Sequence, residues 1–89
     1  MAFTVLLHPE AAKSLEKIEK PIRPRIIEKL KELGKHPERI GKRLKYSDFW
    51  SLRVGDYHAI YEINSNKKQV IVLFIGHRKN VYDDFSKMF

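Results

Sequence analysis

The chain has no cysteine, so disulfides cannot staple the fold, and thiolate catalysis and a cysteine-based zinc site are excluded. That absence fits the cytosol, where disulfides are rare. No apolar run approaches the roughly 18–20 residues of a membrane span, so no membrane partner is expected. The N-terminus has no basic stretch ahead of an apolar one, and no signal peptide is read. Repeats, linkers and low-complexity tracts are missing, which suggests a single cytoplasmic domain over residues 1–89. There is no His-Glu-x-x-His pattern, and the acid pair Asp83–Asp84 has no partner histidine at metal spacing. Neither a metal nor another cofactor is expected.

What is present is basic. The 89 residues include 18 Lys and Arg against 11 Asp and Glu, a net charge of +7, with a pI near 9.8. That balance favours a polyanionic partner such as nucleic acid or an acidic protein. Hydrophobic residues make up 43%, typical of a globular chain. A domain this small buries about 60–65% of its unfolded surface, so its stability is modest.

The few prolines and glycines punctuate the chain. Phe3–Leu7 reads as a short strand. His8–Pro9–Glu10 opens a helix, with proline at the first helical position and an acid in the first turn. Ala11, Leu15 and Ile18 recur at helical spacing, which carries that helix to about Glu19, before Pro21. A second helix starts near Ile22–Pro24, with Ile26, Leu30 and Leu33 as its stripe. Gly34 caps it, and Pro37 is read as blocking its continuation. The two helices are expected to form a hairpin that buries one face of each against a sheet. Lys35 to Asp48 is then a basic connector: either a solvated loop or a phosphate-contacting arm through Lys42, Arg43 and Lys45.

Phe49–Val54 alternates, with Trp50, Leu52 and Val54 on one face and Phe49, Ser51 and Arg53 on the other. Gly55–Asp56 is a tight turn. In the next strand Tyr57, Ala59, Tyr61 and Ile63 oppose His58, Ile60 and Glu62. Asn64–Lys67 turns the chain again. Val70–Ile75 is apolar on both faces, as in a central strand. Asn80 can cap a short last helix in which Val81 and Phe85 share a face. The order is strand, helical hairpin, three-stranded antiparallel segment and short C-terminal helix, an α+β domain.

Arg53, His58, Arg78 and Tyr82 suit phosphodiester chemistry on RNA. Guanidinium forks hold phosphate oxygens, an imidazole titrates near neutrality, and a tyrosine stacks on a base or positions a proton. Taken singly, each has a plainer explanation: a surface ion pair, a passive polar residue, core packing.

These residues also carry a resemblance. Leu44, the stretch Trp50–Tyr57 with Arg53-Val54-Gly55-Asp56-Tyr57, Ile60–Ile63, Gly76-His77-Arg78 and Val81-Tyr82 together resemble the RelE toxin family of the RelE/ParE superfamily, over nearly the whole chain. The resemblance implies a compact, microbial-ribonuclease-like domain with a curved antiparallel sheet. It implies a toxin of a type II toxin–antitoxin system that cuts mRNA in the ribosome without metal. An acidic RelB-like antitoxin would be its partner, with DNA reached only through that antitoxin. Arg53 matches a basic strand position, Arg78 the arginine closing the last strand, and Tyr82 the tyrosine that stacks on mRNA. Two positions depart: His58 stands where the family usually has Arg, and Ser51 where some members have Lys. His58 can therefore serve as phosphate charge or as general base, and the match to an arginine favours the charge role. The alternatives are a ParE-like toxin that blocks a protein such as DNA gyrase, and a basic RNA-binding module without catalysis.

Overall fold

In a computed structural model, which describes residues 2–45 and 47–89, strand β1 (Thr4–Leu7) leads into helix α1 (Pro9–Lys17). Tyr46, in the basic connector, lies outside the described residues. The α1 start follows from its residues. Pro9 occupies the first turn, and the His8 imidazole Nδ1 accepts the Glu10 N–H at 3.1 Å, doing the work of an N-cap side chain. The helix ends at Lys17, two residues before the expected Glu19. Ile18 is extended, and the Arg23 guanidinium donates to the carbonyls of Glu16 and Ile18, both at 2.8 Å. Those bonds satisfy acceptors that a longer helix would have used.

Helix α2 (Arg23–Leu33) buries Ile26, Leu30 and Leu33 as expected. Gly34 is its C-cap but stays right-handed, with φ −62°. Pro37 begins an element rather than only ending one: the single-turn helix α3 (Pro37–Ile40) uses it in its first turn. Strand β2 (Lys42–Arg43) follows, so the basic connector contains a helix turn and a sheet edge that the sequence did not disclose.

Strands β3 (Trp50–Val54), β4 (Tyr57–Asn64) and β5 (Gln69–His77) and helix α4 (Val81–Met88) complete the chain. The β3–β4 hairpin pairs Val54 with Tyr57 across Gly55–Asp56. Gly55 has φ +59° and Asp56 is not left-handed, the pattern of a type II′ turn with glycine in its first central position. The sheet order is β1-β5-β4-β3-β2, with β1 parallel to β5 and every other pair antiparallel. β5 is thus an interior strand paired on both sides, which its two-sided apolar run fits, while β4 holds the middle of the sheet.

The sheet separates two cores. On one face Leu52, Val54, Ala59, Tyr61, Val70, Val72 and Ile75 meet Ala11, Ile18, Ile26, Leu30 and Leu33 from α1 and α2. On the other, Ile60, Leu73 and Phe74 meet Val81 and Phe85 of α4. Leu73 and Phe74 share a face although adjacent, because the β4–β5 register slips between Ile60/Phe74 and Tyr61/Val72. The bulge inserts one residue and restores the alternation beyond it. α4 therefore has a wide apolar seat at one end of β5, and its first turn lies over the middle of the sheet.

Candidate functional site

The site lies on the α4 face, where β3, β4 and β2 meet the first turn of α4. Strand alternation puts Ser51 and Arg53 on that face of β3, and the register sets Arg53 directly opposite His58 on β4. The next residue across from His58, on β5, is Gly76. A Cβ there would lie 3.2 Å from Val81 and from the Phe74 ring. The missing side chain lets Val81 pack down on the sheet, which brings Tyr82, the next residue, across to β4 and β3.

The Tyr82 hydroxyl is the centre of the arrangement. It lies 3.0 Å from His58 Nδ1 and 3.1 Å from Ser51 Oγ. The Tyr82 and His58 rings meet edge to face, with centroids 5.7 Å apart. Tyr82 remains 42% exposed, so its hydroxyl is anchored while ring surface stays available for stacking. Beside it opens a pocket of about 470 Å³, lined by Ile40, Lys42, Arg43, Leu44, Lys45, Ser51, Arg53, His58 and Tyr82.

Six of the seven residues expected at the site, Lys42, Arg43, Lys45, Arg53, His58 and Tyr82, line this pocket together. They do so on different terms. Arg43 is turned to its own loop, its Nε donating to the Ser47 carbonyl at 3.0 Å and its Nη2 facing Asp48 at 3.4 Å. Arg53 donates through Nε to the Gly55 carbonyl at 3.1 Å, which braces its stem against the hairpin turn. Arg78 is outside the lining. It follows β5, its N–H donates to the Asp56 carbonyl at 2.7 Å, and its Nε lies 3.6 Å from the Asp56 carboxylate.

Electrostatics tie Arg78 to the site nonetheless. The His58 pKa is held below the usual imidazole value, first by burial and then by the positive charges of Arg53 and Arg78. At neutral pH the imidazole is therefore predominantly uncharged, flanked by two guanidinium groups. Sequence reasoning missed Ser51 as a partner of the site and took it only as the loss of a basic residue. The signal was present, since Ser51 lies two residues from Arg53 on the same strand face. It also missed the apolar wall of Ile40, from α3, and Leu44, just after β2.

A family model for the ParE toxin of the type II toxin–antitoxin system ParDE matches residues 5–82. The chain belongs to the RelE/ParE toxin family. Toxin RelG of Mycobacterium tuberculosis is 29% identical over 85 residues, covering 92% of this chain and 98% of that toxin. In the M. tuberculosis RelBE2 toxin–antitoxin complex, a chain 28% identical superposes with a TM-score of 0.80, covering 88% of this chain and 93% of that one. A free E. coli RelE variant, 22% identical, gives a TM-score of 0.81 over 100% of this chain and 99% of its own, and shows the same fold. The α+β architecture expected from the sequence is thus the fold of this family.

Proposed function

We propose that this toxin is a metal-independent endoribonuclease that cuts mRNA on the ribosome and is held in check by an acidic antitoxin. The contact of His58 Nδ1 with the Tyr82 hydroxyl, 3.0 Å long beside a basic pocket, carries this assignment. RNA brings its own nucleophile, so the protein has to move protons and stabilise charge. His58 accepts the 2′-hydroxyl proton as the oxygen bonds to phosphorus. The bond from phosphorus to the 5′-oxygen breaks, that oxygen is protonated, and a 2′,3′-cyclic phosphate remains. Arg53 and Arg78 hold the phosphate oxygens, the Tyr82 ring stacks on a base, and Lys42, Arg43 and Lys45 attract flanking phosphates. The depressed His58 pKa supports the base role over the charge role that the family's arginine suggested.

An antitoxin partner is inferred from the RelBE2 complex, and its acidity from the +7 charge of this chain. Any contact with DNA would come through that antitoxin. A second reading, a ParE-like block of DNA gyrase, is favoured by the description of the matching family model. Mapping the ends of mRNA in a reconstituted translation reaction separates the two. Cuts at ribosome-positioned codons, absent from free RNA and lost in His58→Gln, are expected. Intact mRNA together with inhibited DNA supercoiling would replace this assignment with the ParE one.

A further inference from the structure

We infer that Ser51 is a positioning residue of this site: its hydroxyl ends the chain Ser51 Oγ–Tyr82 Oη–His58 Nδ1, which decides which His58 nitrogen carries the proton. The inference rests on the ribonuclease reading above and adds to it a residue outside the expected set.

The geometry allows two directions in which the phenol proton stays within the chain. The two contacts, 3.1 Å and 3.0 Å, share one phenolic oxygen, and that oxygen has a single proton to donate. If Tyr82 donates to Ser51, then His58 donates its Nδ1 proton to Tyr82, and Nε2 keeps a free lone pair. If Ser51 donates to Tyr82, Tyr82 donates to Nδ1, and the imidazole proton sits on Nε2. Only the first direction leaves a base. Nε2 has no hydrogen-bond partner among the described residues, so it is the nitrogen available to a substrate. In the base form the 2′-hydroxyl proton passes to Nε2 and its O–H electron pair forms the new bond to phosphorus. The imidazolium then returns a proton to the departing 5′-oxygen or to water.

Ser51 is what makes the first direction possible. Without its oxygen, His58 Nδ1 is the one remaining acceptor for the phenol among these described contacts. With no other partner left inside the chain to receive its proton, the phenol is free to donate to Nδ1, which favours the proton on Nε2. Ser51 is also built to hold its place. It is 9% exposed and lies between β2 and β4, registered with Lys42 on one side and Ile60 on the other. A lysine at this position could not accept from the phenol, because an ammonium group only donates. The combination of His58 with a hydroxyl at 51 is therefore chemically matched. The charged and titratable groups facing His58 are Arg53 from β3, Arg78 after β5 and Tyr82 from α4, with Lys42 and Lys45 across the pocket.

The test reads the tautomer directly. Nitrogen NMR of protein labelled with 15N-histidine, with the His58 signals assigned by their loss in His58→Gln, reports the Nδ1–H and Nε2–H forms at pH 7.5. Ser51→Ala is expected to move His58 toward Nε2–H and to slow single-turnover ribosomal cleavage about tenfold, the worth of one hydrogen bond. Ser51→Thr keeps a hydroxyl and should restore both. In a Tyr82→Phe background the chain is already cut, so Ser51→Ala should have no further effect on either. An unchanged tautomer in Ser51→Ala, or additive losses in the double variant, would overturn the proposal. The spectrum does not depend on turnover. A wild-type toxin that cuts no mRNA would sink the ribonuclease reading, while the tautomer arm would still decide whether Ser51 sets the His58 proton.

Discussion

Arg53 and His58 face each other across β3 and β4, and like charges so placed repel. Protonating His58 works first against its partial burial and then against Arg53 and Arg78, which is why its pKa is lowered. The consequence for activity has a definite sign. A base works in its neutral form, so cleavage should rise with pH through the His58 pKa and level off. Because that pKa is below the ordinary value of about 6.5, the plateau should already be reached at neutral pH. Arg53→Gln or Arg78→Gln removes one repelling charge, so the rising limb should move to higher pH, whatever happens to the plateau. Single-turnover ribosomal cleavage from pH 5.5 to 8.5 measures both. A rate that falls as pH rises would return His58 to the role of phosphate charge. Arg78→Ala should also lower the plateau by about 100-fold through loss of a preorganised cation, with the fold unchanged by circular dichroism. Full toxicity in that variant would remove Arg78 from the site. Arg53, His58 and Tyr82 were legible in the sequence because alternation and a short motif fix them locally. Ser51 was not, since its role depends on a phenol 31 residues away that reaches it only through the seating of α4.

That seating is a matter of elements. Val81 rests on Gly76, and the bulge in β5 turns Leu73 and Phe74 together toward α4. Gly76→Ala would push a methyl group against Val81 and the Phe74 ring. The helix start should lift by a few tenths of an ångström, straining the Tyr82 bonds to His58 and Ser51. Cleavage should drop by about tenfold or more, as small misplacements at a catalytic centre do. Stability should fall by about 1–3 kcal/mol, as for other overpacked positions. Urea titration alongside the cleavage assay measures both, and an Ala variant with wild-type cleavage would show that Gly76 does not position Tyr82. On the opposite face, the buried Tyr61 hydroxyl donates to the Pro37 carbonyl at 2.6 Å and ties α3 to the sheet. Burial pushes its pKa up to about 12, so it stays a donor across the working range. Tyr61→Phe should cost about 1–3 kcal/mol, since it leaves that carbonyl without its partner. A midpoint equal to wild type would contradict this. α3 escaped the sequence reading because Pro37 both stops α2 and suits the first turn of a new helix, and its four residues show no period. The pairing of β1 with β5 is equally hidden, as it joins residues more than 60 apart. The α1, α2 and α4 stripes and the β3–β4 hairpin were legible because each is written in a few neighbouring residues.

Over the whole molecule the positive charge is not spread evenly. On α1 and α2, Lys13, Lys29 and Lys31 pair with Glu10, Glu32 and Glu28 three residues away, so much of the helical surface is locally neutralised. Among the described residues, Lys42 and Arg53 beside the pocket make no ion pair. The pocket gathers Lys42, Arg43, Lys45 and Arg53 with no carboxylate among the described residues of its lining, so positive charge is concentrated there and can act as an electrostatic funnel for an acidic partner. Such steering acts on the rate of encounter more than on the rate of departure. Salt shortens its reach from a Debye length of about 10 Å at 0.1 M to about 3 Å at 1 M. Stopped-flow association with the cognate antitoxin should therefore slow by about 10-fold or more between 0.05 and 0.5 M salt, with dissociation changing much less. Lys42→Gln combined with Arg53→Gln should flatten that salt dependence. Lys29→Gln combined with Lys31→Gln removes the same formal charge from the paired helical surface and should alter it less. A basic cognate partner, or an association rate indifferent to ionic strength, would refute the steering. Equal effects from the two double variants would mean that net charge, rather than the pocket, guides the encounter.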